Sequence, residues 1–299
     1  MFPLVLALIS GLSWGSADFV GGLMTRRLAP ATVLVVGQTA GFAFTAGLVL
    51  ALGEPMPAAH YLVVGGLGGL AGAIGLASLY KGLAVGPMSI VAPTAALSGA
   101  VPVIAGFVQG ERPEPLQLAG MALAGVGIVL AVRASDPGHA LAAVGPDLAV
   151  VPTEGVGRER RRTAEGIGFA LSAALFLGLF VTSLDAAGEG NPFWATLMVR
   201  VVSVPIFAVA WLVRGRHGRS PTGREVVVLA VVGLLDNGAN VLFAIAAQEG
   251  LLTLVSVLGS LYPVSTVLLA RFFLHERLGP VQAAGVAAAF GGVGLIAVG

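Results

Sequence analysis

No cysteine occurs among the 299 residues. That absence excludes disulfides, thiolate metal sites and thiol catalysis, and it leaves the redox compartment open. Charge is scarce as well. Asp, Glu, Lys and Arg make up 10% of the chain, where soluble domains carry about 25%. A soluble protein of this length needs a charged surface, and this chain lacks the residues to build one. The net charge of +1 gives no basic field, which argues against nucleic acid as a partner. The start, MFPLVLALIS, has no basic residue, so it reads as a retained span rather than a cleaved signal. The four histidines, His60, His139, His217 and His275, are scattered over loops and span ends. They cannot assemble a zinc site, and no cofactor or metal is expected. No paired acidic motif marks a membrane prenyltransferase or phosphatase.

What the chain has is apolar length. Hydrophobic residues make up 57% of it, and its mean hydropathy is +0.95. A helix needs about 20 apolar residues to cross a bilayer. Ten stretches fit, near 3–24, 30–52, 60–80, 87–109, 115–132, 165–185, 192–213, 225–247, 252–273 and 279–298. Most connections are short and carry turn formers such as GERPEP at 110–115. Residues 133–164 differ, since Gly, Pro and clustered Arg make them a polar linker. The expectation is therefore an all-α integral membrane protein of ten transmembrane helices. Its parts are a first unit at 1–132, the linker at 133–164 and a second unit at 165–299.

The two units repeat. ERPEPLQLAG begins at Glu111 and ERLGPVQAAG at Glu276, 165 residues apart. The same offset carries Gly127 onto Gly292, and an offset of 162 carries Ser10 onto Ser172 and Gln38 onto Arg200. Five spans per unit is an odd number, so the second copy enters from the opposite side. Inverted repeats of this kind place a site near the midplane where the halves meet.

Residues WGSADFVGG (14–22) resemble the first-helix motif of the EamA transporters, in the drug/metabolite transporter superfamily. So does SLYPVSTVLLARFFLHERLGPVQAAGVAAAFGGVGLI (260–296), with VAPTAALSGAVPVIAGFVQGERPEPLQLAGMALAGVGIVL (91–130) as its weaker partner. The resemblance spans both halves. It implies two inverted five-helix EamA repeats and a secondary transporter of a small polar metabolite, often an exporter, working by alternating access. Proton coupling is one mechanism such a site can use. The expected partners are a small-molecule solute and the lipid bilayer, with a homodimer left open. The alternative function is a membrane scaffold or enzyme subunit that keeps the fold and moves nothing. Many members carry Arg in the second span where this chain has Gln38, and the second-half counterpart here is Arg200.

Orientation has two readings. Fourteen of the sixteen Lys and Arg lie at the odd-numbered connections, against Arg112 alone on the other side. Charge bias therefore places the termini outside a cell membrane, whereas the family resemblance implies termini inside.

Ionisable groups within the spans are Asp18, Arg200 and Asp236, and such groups should face a partner or a wet cavity. In one reading Arg200 holds an anionic group while Asp236 or Asp18 carries a proton or meets an amine. In the other, Arg200 and Asp236 form an internal pair between spans 7 and 8. Asp236 and Asn240 stand four apart on one face of span 8 and Asn237 about 100° away, and a face this polar either lines a cavity or bonds to another helix. In span 9, Ser256, Ser260 and Tyr262 stand beside Pro263, which removes a backbone donor and frees a carbonyl. Thr94, with Ser89, Pro93 and Ser98, is the matching set in span 4. Trp14 sits mid-span and Gln38 on span 2. The walls of a cavity are read as spans 1, 3, 4, 6, 8 and 9, with Arg200 contributing from span 7. Gly65, Gly68, Gly69 and Gly72 form G-x-x-x-G pairs, which signal close helix packing. Glu111 and Glu276 precede spans 5 and 10, where a negative charge meets the positive end of a helix dipole. GLSWG and SLYK imitate hydrolase motifs but lie in helices and lack companion residues.

Overall fold

The structure, a computed structural model, describes residues 1–25, 27–85, 94–132, 155–215, 219–273 and 279–299. Among these residues there is no strand. The helices are α1 (Phe2–Thr25), α2 (Pro30–Leu52), α3 (Ala59–Val85), α4 (Ala100–Val108), α5 (Pro115–Val132), α6 (Gly155–Gly188), α7 (Pro192–Ala210), α8 (Gly223–Glu249), α9 (Leu252–Gly259), α10 (Tyr262–Phe273) and α11 (Pro280–Val298). Among the described residues eight stretches are long and apolar enough to cross a membrane, α9 and α10 counting together as one. Two shorter apolar helices, Ala96–Val108 and Pro115–Ala131, occupy the places of expected spans 4 and 5. Ser89, Pro93, Glu276, Arg277 and most of the expected linker lie outside the described residues.

Local chemistry sets the helix ends. Gly53 closes α2 in the left-handed region at φ 65°. Asn191 caps α7 by accepting from the Phe193 and Trp194 N–H groups, with Pro192 at the first position. Thr222 and Glu225 start α8 with a reciprocal capping box. One boundary differs from the sequence reading, because α6 begins at Gly155, within the stretch read as linker. Between Pro152 and Pro192 no proline interrupts the chain, and the Arg-rich run 158–162 consists of good helix formers.

The expected break in span 9 is present. α9 stops at Gly259 and α10 resumes at Tyr262. Pro263 has no N–H to offer the Gly259 carbonyl, which packs against Gly11 of α1. Span 4 is irregular at the matching place, with a 3₁₀ turn at Ala96–Gly99 before α4.

Helices of the first half pack mainly on helices of the second. α3 lies on α6 and α7, α1 on α8, α2 on α7 and α8, and α5 on α11. Small residues permit this. Gly65 and Gly69 meet the α7 backbone at Ala195 and Val199, while Gly68 and Gly72 meet Ser183 and Phe180 of α6. On α5, Gly120 faces Gly292 and Gly127 faces Gly285 of α11. The two helices therefore run antiparallel. Their backbones are so close that a Cβ on Gly127 would stand 2.3 Å from the Ala289 nitrogen. Gly127→Val should destabilise the protein by at least about 1–3 kcal/mol through overpacking. Gly125→Ala, where an added Cβ meets nothing within 4 Å, should be nearly neutral. Thermal unfolding of the two variants side by side checks this.

Both termini share one face. Gly250 touches Pro3, and Gly299 touches Leu116 and Gln117. The connections after α2, α4, α6 and α8 lie on this terminal face.

Candidate functional site

Arg200 is the centre of a buried polar network. Its residue is 4% exposed, and three different nitrogens donate to three acceptors. Nε donates to Asn237 Oδ1 at 2.6 Å and Nη2 to Asp236 Oδ2 at 2.7 Å, while Nη1 donates to Gln38 Oε1. Ser203 also donates to Gln38 Oε1, at 3.3 Å. Asn237 then donates to the Gly41 carbonyl at 2.8 Å and to Thr45 Oγ1, tying α8 to α2. The guanidinium is thus met by protein, and the internal Arg200–Asp236 pair is the reading that the geometry carries. Asn237 is fully buried behind Arg200 and lines neither of the two inner cavities that Asp236 borders; its donated bonds run to α2.

Asp236 is different. Its side chain keeps 33% exposure and borders two adjoining cavities. The first, about 140 Å³, is walled by Trp14 and Asp18 of α1, Leu76 and Leu79 of α3, and Ser98, Gly99 and Pro102 around α4. Leu177, Phe180 and Val181 of α6, Phe243 of α8, and Ser256, Ser260 and Tyr262 of the broken span complete it. These are the six spans read as walls from the sequence. The second cavity, about 100 Å³, holds Gln38, Arg200, Ser203 and Asn240. Leu76, Leu177, Phe180 and Asp236 line both, so they form the neck between two lobes.

The aromatic wall is organised around Trp14. Its indole donates to Asn240 Oδ1 at 3.0 Å. Its ring lies 5.6 Å from Phe243 and 6.4 Å, edge on, from Tyr262. Two buried groups facing the lobes have no partner among the described residues: Ser256 Oγ and Asn240 Nδ2. Such groups usually find a partner in folded proteins; both atoms are sealed within the walls of the lobes, so a small shift of the wall is needed to bring either one to a partner. Asp18 is exposed to the first lobe and makes no hydrogen bond or ion pair among the described residues. Thr94 is half-buried and lines neither lobe.

Sequence reading missed Asp185, a buried acid at the end of α6 that is 7% exposed. Gln109 donates to its Oδ2 at 3.5 Å, and Gln248 donates to its backbone carbonyl at 2.9 Å and to its Oδ1 at 3.3 Å. The role read for Glu111 also changes. Its carboxylate accepts from the Leu252 and Thr253 N–H groups, at 2.5 and 2.8 Å. It caps α9 in the other half, not the α5 helix that follows it. Glu54 completes the set, accepting from Asn191 Nδ2 at 2.6 Å through its side chain and from the Trp194 indole at 3.1 Å through its carbonyl. All of these contacts lie on the terminal face, and most join one half to the other.

A third and larger hollow, about 560 Å³, lies between the 3₁₀ turn, α4, α5 and α9. Its walls are apolar apart from Ser260. Its size does not make it the site, because the ionisable and unpartnered groups face the two inner lobes.

Apolar spans enclosing a polar, ionisable cavity describe a membrane protein that handles a solute. The chain belongs to the EamA-like transporter family, whose model matches residues 1–133 and 164–298, and this makes it a membrane transporter of the drug/metabolite transporter superfamily. No curated protein matches it. A solved crystal structure is similar in fold, with a TM-score of 0.75 at 18% identity, covering 99% of this chain and 97% of that one.

Proposed function

We propose that the protein is a secondary transporter that moves a small polar solute through the two-lobed cavity, by alternating access between inverted halves 1–132 and 165–299. The observation that carries this reading is Asp18, exposed to an inter-half cavity with no hydrogen-bond or ion-pair partner among the described residues, where the lining residues Ser256 and Asn240 also hold buried polar atoms unmet among the described residues. A scaffold has no use for unmet polar atoms at membrane depth, where each one costs stability. The inverted repeat is supported by counterparts that meet. Gln38 and Arg200 correspond at an offset of 162 and bond each other. Gly120 and Gly127 correspond to Gly285 and Gly292 and pack crosswise on antiparallel helices. That is how elements on a two-fold axis meet.

The charge bias places the terminal face outside, so the contacts of Glu54, Glu111 and Asp185 close the outer face. Export is the direction that the family resemblance favours. Asp18 and Asp236 are the carboxylates on the cavity wall, and they are the groups able to carry a proton in exchange. The test uses purified protein and a panel of metabolites scored by thermal unfolding, followed by counterflow in proteoliposomes with and without a pH gradient. A ligand at 100 times its dissociation constant should add about 2.7 kcal/mol. Solutes that stabilise the protein but never cross the bilayer would leave it a binding scaffold.

A further inference from the structure

We infer that the solute is a small organic cation, an ammonium group on an apolar body, and that Asp18 is its counter-charge; the inference rests on the transport reading above. Three features of the first lobe carry it. The first is charge. Among its described lining residues Asp18 and Asp236 are carboxylic acids, and none of those described residues is basic. Asp236 is committed to Arg200 at 2.7 Å, and that pair is neutral as a whole. Arg200 reaches only the second lobe, with three of its nitrogens already donating to protein. Asp18 is therefore the charge left over, and the first lobe is anionic.

The second feature is the aromatic wall. Trp14 and Asp18 are one helical turn apart on α1, so both face the same side. Tyr262, Phe243 and Phe180 line the same lobe. Ring faces attract a cation, most strongly indole and most strongly when water is excluded. The same rings, with Leu76 and Val181, offer apolar surface to the rest of the solute. An anion would meet Asp18 and the negative faces of these rings, with no donor charge in reach.

The third feature is independent of charge. Ser256 is 1% exposed, lines the lobe, and its hydroxyl has no partner among the described residues. An ammonium has N–H groups to donate to the Asp18 carboxylate and, once the wall shifts to uncover it, to that sealed Ser256 oxygen.

The experiment compares three probes of one shape on the purified full chain: 2-phenylethylamine, 2-phenylethanol and phenylacetate. The amine should raise the unfolding temperature in a saturable way, and the alcohol and acid should not. Asp18→Asn should weaken the amine by at least about tenfold, while Asp18→Glu should retain it. If Asp18→Asn does not fold, the charge series on the unaltered protein still decides. Equal stabilisation by all three probes, stabilisation by the acid, or none by any probe overturns the inference. Proteoliposome uptake of the same probes separates it from the transport reading. Uptake of phenylacetate without the amine would remove the cation inference and leave transport standing. Binding of the amine without uptake would confirm the cation site and remove transport.

Discussion

Replacing Arg200 by glutamine should leave little folded protein in the membrane. The guanidinium is nearly sealed from solvent and serves acceptors on two other helices: Gln38 on α2, and Asp236 and Asn237 on α8. Arg does not shed its proton in proteins, so its charge was matched when the fold formed. Removing it strands Asp236 beside a cavity with its ion partner gone. Breaking a buried pair from one side costs about 3–5 kcal/mol, a large part of the roughly 5–15 kcal/mol by which native proteins are stable. The double variant Arg200→Gln with Asp236→Asn leaves no lone charge and should recover much of the loss. Size-exclusion yield and thermal unfolding of the two singles and the double give the coupling. A single Arg200→Gln protein as stable as the parent would show that the network does not hold α2, α7 and α8 together. A double variant that folds and keeps the same pH dependence of transport would remove both residues from the mechanism and leave Asp18 as the proton carrier.

This network was half legible in the sequence. Arg200 and Asp236 stand out because charge at membrane depth is rare, and their adjacency in span order makes a pair natural. Gln38 emerges from repeat alignment, since it sits where the second copy has Arg200. What one sequence does not show is rotation about a helix axis. Asn237 is adjacent to Asp236, yet about 100° of helical turn sends it into the α2 seam instead of the cavity. The neck residues Leu76 and Phe180 were invisible for a simpler reason: an apolar side chain in a span has no signature that tells a lipid face from a cavity wall. Asp185 was overlooked because it falls at the edge of an apolar run, where an acid reads as a boundary. The helices themselves were plain, because crossing a bilayer imposes length and composition on each span directly.

Glu111→Ala should loosen the terminal face, and the effect should be visible from that side of the membrane alone. Glu111 belongs to the connection after α4, but its carboxylate receives two N–H groups from the first turn of α9 in the other half. A carboxylate at a helix N-terminus gains from both the hydrogen bonds and the dipole. Gln109 of the same connection reaches Asp185 on α6, so one short loop clasps two helices of the opposite half. If the protein works by the alternating access proposed above, this clasp opens in each cycle. Losing partners for buried backbone donors costs about 1–3 kcal/mol, so alanine should shift the closed-to-open balance by roughly ten- to a hundredfold. Glutamine keeps the shape but only one accepting oxygen, and it should fall between. The absence of cysteine makes the measurement direct. A single Ser260→Cys on the cavity wall can be labelled with an impermeant maleimide from either side of a sealed membrane. Added Glu111→Ala should speed labelling from the terminal face and leave labelling from the opposite face unchanged or slower. Equal acceleration from both faces would mean that the substitution loosens the whole protein, and Glu111 would then be a static helix cap.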